Sequence, residues 1–125
     1  MEREGYVSLW VGNFASNEEL QHYLLNFYDE DGEAAASMFE EEYRIEGHDS
    51  DFREAEYFKE GSNQLSVLLE GGSYEEMVIP HFIKLKGEEL PYPVKSMILF
   101  YHFKYSGKGS HQSSRVHYVG SVRYK

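Results

Sequence analysis

Twenty-two carboxylates and six histidines are the residues of this chain that could do chemistry, and their spacing argues against catalysis. Asp29-Glu30-Asp31-Gly32-Glu33 has the outline of a calcium loop. An EF-hand, however, needs oxygen ligands at alternating positions before its glycine and a bidentate glutamate at its end. Phe27 and Met38 occupy the first and last of those positions. His22, His48, His81, His102, His111 and His117 form no HExxH or HxH pair. His102 and His117 fall on two neighbouring strand segments, yet two imidazoles without a third ligand do not hold zinc. His48 with Asp49 and Asp51 reads as a turn with a helix cap. No GxSxG elbow is present, and Gly71-Gly72-Ser73 reads as helix punctuation. Gly107-Lys108-Gly109-Ser110 precedes a strand, whereas a phosphate loop opens a helix. No two carboxylates share an apolar setting that would drive their pKa values apart. These residues imply no enzyme, no metal and no cofactor.

The carboxylates matter instead as a field. The chain has 125 residues and a formal charge of −10. Residues 1–60 carry 17 acids and 4 bases, and residues 61–125 carry 5 acids and 8 bases. Between Asp29 and Asp51 only Arg44 interrupts the acids. Such a charge disfavours direct contact with nucleic acid or an anionic membrane. It is compatible with a solvated, solubilising surface, and equally with a surface that recognises a cationic partner. Cysteine is absent, which removes disulfides, thiolate metal sites and a cysteine nucleophile, and fits a reducing, cytoplasmic setting. No secretory leader, membrane-length apolar run or lipidation signal is read in the sequence.

The elements that must position these residues follow from periodicity. Tyr6 to Gly12 alternates, which predicts a strand with Val7, Leu9 and Val11 toward the core and Trp10 opposite. Ser16 and Glu19 form a capping box, so a helix begins at residue 17 and buries Leu20, Tyr23, Leu24 and Phe27. Gly32 ends it. Residues 33–43 have helical composition, and residues 40–46 either extend that helix or form an edge strand. A helix over 51–59 follows, with Phe52, Ala55, Tyr57 and Phe58 as its contacts, and then a short helix over 63–70. Ser73 with Glu76 predicts a second box and a helix to Lys86, kinked or delayed by Pro80. Pro91 and Pro93 block regular pairing. Val94 to Tyr105 is apolar on both faces and should be a central strand, with a loop over 106–113 and a return strand over 116–124. The fold class is α+β: one domain over 1–125, with a small antiparallel sheet built from the N-terminal strand and a C-terminal hairpin. Several helices pack on one face of that sheet.

Ser8-Leu9-Trp10-Val11-Gly12-Asn13-Phe14, with Ser16, Glu19-Leu20 and Tyr28-Asp29-Glu30-Asp31-Gly32, resembles the opening of the immunity protein 22 family. Asp49-Ser50-Asp51-Phe52, Phe58, Ile79-Pro80-His81-Phe82 and Gly120-Ser121-Val122 are similar to its remainder. The resemblance implies a bacterial protein of a polymorphic-toxin locus that binds and neutralises a cognate toxin domain, without catalysis or cofactor. It carries no residue-level site. The charge pattern supplies the expectation that Asp29, Glu30, Asp31, Glu33, Glu40, Glu41, Glu42, Glu46, Asp49 and Asp51 steer a basic toxin such as a nuclease. Tyr28, Tyr43 and Phe52 are the expected anchors. The other reading of the residues is an acidic, non-enzymatic interaction module unrelated to toxin immunity.

Overall fold

A computed structural model describes residues 2–26, 30–32, 35–45, 52–105 and 115–125. In chain order these form β1 (Glu2–Gly12), α1 (Asn17–Leu24), α2 (Met38–Tyr43), β2 (Arg53–Gln64), α3 (Leu65–Leu68), α4 (Glu75–Lys86), β3 (Glu89–Phe103) and β4 (Val116–Arg123). The α+β class is as expected. The four described strands make one sheet in the order β2-β3-β1-β4, with every neighbouring pair antiparallel.

The sheet corrects the expected C-terminal hairpin, because β1 lies between β3 and β4. Val7 pairs with Tyr101 on one side and Val122 on the other, and Gly12 pairs with both Ser96 and Val116. The cause is the double burial of β1. Val7, Leu9 and Val11 enter one core and Trp10 the other, and a strand apolar on both faces belongs inside a sheet. With β3 and β4 both antiparallel to β1, they run parallel to each other, and parallel strands need a crossover instead of a tight turn.

The crossover starts where His102 adopts φ 62°, a left-handed conformation uncommon for a side chain with a Cβ. Ser8, fully buried on β1, anchors it. Its hydroxyl donates to the Phe103 carbonyl at 2.9 Å and accepts the Tyr105 N–H at 3.0 Å. Ser121 on β4 lies 2.6 Å from the same oxygen.

Helices cover both faces of the sheet, not one. On the first face α3 and α4 bury Leu65, Leu68, Val78 and Phe82 against Leu9, Leu99 and Val119. On the second face α1 and α2 bury Leu20, Tyr23, Phe39 and Tyr43 around Trp10. Trp10 meets Phe39 edge-on at 4.9 Å and Phe100 at 5.9 Å. Its burial is therefore structural, and truncating such a ring typically costs about 3–5 kcal/mol.

Local signals explain several boundaries. Ser16 caps α1, accepting the Glu19 N–H at 3.2 Å. Over the described residues 40–45 the ambiguity resolves as the helix α2, closed by Arg44 as its C-cap at φ 53°, while Glu46 lies outside the described residues. Its capping box is Ser37 with Glu40, each side chain bonding the other's backbone N–H. Residues 53–64 are a strand where a helix was expected. Ala55 and Tyr57 face the Trp10 side while Glu54 pairs opposite Leu99, so an alternating charged edge strand imitates helical spacing. The Ser73–Glu76 box does not form. Tyr74, at φ 58°, precedes α4 without a side-chain cap, and α4 runs from Glu75 with Pro80 inside it. The two prolines of β3 lie where its pairing with β2 loses register, between Ser62–Val94 and Gln64–Glu89. On β4, Leu9 pairs with Gly120 and Trp10 with Tyr118, which leaves Val119 as a bulge and breaks the expected alternation.

Replacing Ser8 by Ala removes the donor to Phe103 and the acceptor for Tyr105 in a buried place. Expected is a loss of about 1–3 kcal/mol of stability, with Ser121→Ala losing less, read from urea midpoints by circular dichroism. Equal, negligible losses would show that the crossover is held by packing alone.

Candidate functional site

The order β2-β3-β1-β4 leaves β2 at an edge of the sheet, and β2 is rich in glutamate. Glu54, Glu56 and Glu70, together with Arg53, line a groove of about 330 Å³ between β2 and the turn before α4. Gly71 and Gly72 lie in that turn, and a Cβ on Gly72 would come within 3.4 Å of a Glu54 carboxylate oxygen. Among the described residues the carboxylates of Glu56, Glu60 and Glu70 have no hydrogen-bond donor or ion-pair partner. Charged side chains on an edge also deter pairing with another sheet.

Glu54 is shared with a second cleft of about 360 Å³ around Phe52, Tyr74, Tyr101 and Tyr124, with Glu4 at its border. Ser73 holds Glu54 in place, donating its N–H at 3.1 Å and its hydroxyl at 2.6 Å to the two carboxylate oxygens. That is where the expected capping serine is used. The Tyr101 hydroxyl donates to the Ser73 carbonyl at 2.6 Å, so the loop before α4 is tied to both β2 and β3. Tyr101 and Tyr124 form the floor, edge to face at 5.1 Å. Tyr74 covers Tyr124 at 4.8 Å and is itself 47% exposed. Phe52, equally exposed, stacks on His102 at 5.5 Å. Two non-glycine residues with positive φ, Tyr74 and His102, therefore border one cleft. Backbone strain of this kind persists where the surroundings enforce it, often at binding sites.

The described members of the expected steering and anchoring set do not all share one surface. Tyr28, Asp29, Glu33, Glu46, Asp49 and Asp51 lie outside the described residues. Glu30, Asp31 and Glu41 are exposed. Glu40 is buried, bonded to the Ser37 N–H and to Asn26. It also faces Arg53, whose guanidinium is pushed down from its ordinary pKa by burial and partly restored by the Glu40 charge. Glu42 accepts the Tyr23 hydroxyl at 2.6 Å. Tyr43 is in the core and donates to the Val116 carbonyl. Glu40 and Tyr43 are thus buried and bonded within the fold. Phe52 is the expected anchor that the structure brings to an exposed cleft. It stands apart from α2, which packs on the opposite sheet face.

Sequence reasoning missed Glu54, Glu56, Glu70, Tyr74, Tyr101 and Tyr124. The alternation Glu54-Ala55-Glu56-Tyr57 was the available signal for the edge strand. Nothing local gathers the tyrosines, because the fold assembles them from three separate segments. Among the described residues no three His, Asp or Glu side chains are placed to share a metal ion, and no helix is long and apolar enough to cross a membrane.

A family model described as Immunity protein 22 matches residues 7–125, nearly the whole chain. No curated protein and no solved structure matches it.

Burial, and then the adjacent Glu54 charge, push the Tyr101 hydroxyl well above its ordinary pKa of 10.0. A neutral acid stabilised on folding contributes fully below its unfolded pKa, and the contribution is lost as pH rises beyond it. Stability should therefore fall above pH 10, and Tyr101→Phe should flatten that slope in urea midpoints measured either side of it. An unchanged slope would show that Tyr101 is not the group responsible.

Proposed function

Because the chain belongs to the immunity protein 22 family, we propose that it neutralises a cognate toxin domain by binding it through the acidic edge around β2. The supporting observation is that Glu56, Glu60 and Glu70 are exposed and unpartnered among the described residues, on an edge where Glu54, Glu56, Glu60 and Glu70 outnumber Arg53 and Lys59, in a protein with charge −10. Carboxylates without internal partners repel one another, and a cationic surface relieves that repulsion. A nuclease domain has such a surface, since its substrate groove binds a polyanion. An acidic inhibitor covering that groove excludes the substrate and needs no catalytic group of its own. Charge attraction also raises the association rate above the neutral range of about 10⁵–10⁶ M⁻¹s⁻¹, which suits an inhibitor that must reach its toxin before the toxin acts. The protein acts in the compartment where the toxin arrives, which on this reading is the cytoplasm of a bacterium.

Co-expression with the toxin domain encoded beside it should restore growth. Continued killing by the toxin in the presence of folded protein would remove the immunity reading. The double reversal Glu56→Lys, Glu70→Lys should slow association about tenfold at low ionic strength and much less in high salt. The same reversal at Glu41, on the other face, should have a smaller effect. Equal effects from both faces would show that the β2 edge is not the docking surface.

A further inference from the structure

We propose that the cleft between Phe52, Tyr74, Tyr101 and Tyr124 is a receptor for one arginine side chain of the partner protein. This rests on the toxin-binding reading and names the chemistry that its contact surface recognises.

The cleft combines two kinds of wall. Tyr101 and Tyr124, nearly buried, make an aromatic floor, and the exposed rings of Tyr74 and Phe52 rise from it. Glu4 and Glu54 add carboxylates at the border. A purely apolar ligand would desolvate those carboxylates without replacing their hydrogen bonds. A metal ion would find two carboxylates, one already bound by Ser73, and a His102 ring stacked on Phe52, and among the described residues no three such groups are placed to share an ion. A cation with a flat, weakly hydrated body satisfies both walls. Guanidinium stacks on aromatic faces and presents several N–H groups to carboxylates, whereas an ammonium is a compact, strongly hydrated point charge.

The protein already places a cation here. The Lys125 ammonium lies 5.8 Å from the centre of the Tyr124 ring, within range of a cation–π contact. The open space beside Tyr74, about 360 Å³ in all, has room for a further side chain. Ser73 fixes Glu54, and the Tyr101 hydroxyl is bound to the Ser73 carbonyl, so the cleft is ordered before any ligand arrives. Preorganisation lowers the entropic cost of binding.

The test uses the full chain and no toxin. Nα-acetyl-arginine N-methylamide is titrated against it by nuclear magnetic resonance, with the lysine and citrulline analogues alongside. Citrulline keeps the shape of arginine and removes its charge. Expected is saturable movement of the Tyr74 and Tyr124 ring signals with the arginine probe, at least tenfold weaker binding of citrulline, and intermediate binding of lysine. Tyr74→Ala, at an exposed side chain, should abolish the response, and Glu4→Gln should weaken it several-fold in a protein whose other signals are unmoved. No saturable shift, equal binding of arginine and citrulline, or an undiminished response in both variants overturns the proposal. Lysine binding as tightly as arginine overturns the assignment to guanidinium. None of these results bears on protection in co-expression, and failed protection leaves the titration untouched.

Discussion

The hydroxyl of Ser8 holds the point on which the topology turns. It receives the chain as it leaves β3, bonding the Phe103 carbonyl and the Tyr105 N–H, and it meets Ser121 of β4. A chain that crosses β1 there cannot fold back as a hairpin beside β3. It must deliver β4 to the far side of β1. With β1 and β3 enclosed, the glutamate-bearing strand β2 is left at an edge. The same arrangement puts Tyr101 and Tyr124 on either side of β1, near Gly5, whose φ of 84° lies within the register break between β1 and β3. The acidic groove and the tyrosine floor are thus products of one connection.

The carboxylates divide by what holds them. Glu40 and Glu42 are committed to the α1–α2 layer through Ser37, Asn26 and Tyr23. Glu19 bonds the Ala15 N–H and forms an ion pair with Arg115 at 2.8 Å. Glu54 is held by Ser73 but remains at the junction of both clefts. Among the described residues those that bond nothing are spread over several elements, from Glu4 on β1 and Glu41 on α2 to Glu76 on α4, with Glu56, Glu60 and Glu70 along β2 and in the turn after α3. A net charge therefore says little about a binding surface until the carboxylates that work inside the fold have been set aside. An exposed ion pair such as Arg115–Glu19 contributes at most about 1 kcal/mol, whereas a buried capping glutamate cannot be replaced without leaving its partners unsatisfied.

Much of the scaffold was legible in the sequence because its signals are local. Val7, Leu9 and Val11 alternate, Ser16 precedes Glu19, and β3 is apolar on both faces. β2 was misread because Phe52, Ala55 and Tyr57-Phe58 also suit a helix, and its pairing with β3 is a long-range fact that no window of sequence contains. Ser37-Met38-Phe39-Glu40 carried a capping-box signature as clear as that of Ser16, and it marks Glu40 as a structural residue. Ser73 shows the converse, since a tertiary acceptor, Glu54, took the hydroxyl that the local pattern assigned to a cap. The aromatic cleft was the least legible feature, because residues 52, 74, 101 and 124 become neighbours only after the crossover is made.

The chain's single tryptophan is fully buried, its indole N–H has no hydrogen-bond partner among the described residues, and it belongs wholly to the layer built by α1 and α2. Its emission should consequently be a private optical signal of that layer, blue-shifted and shielded from aqueous quenchers. The opposite layer, where Tyr74 and Phe52 meet solvent, is dark at the same wavelengths. Excitation of the indole can therefore distinguish loosening of one half of the sandwich from events on the other.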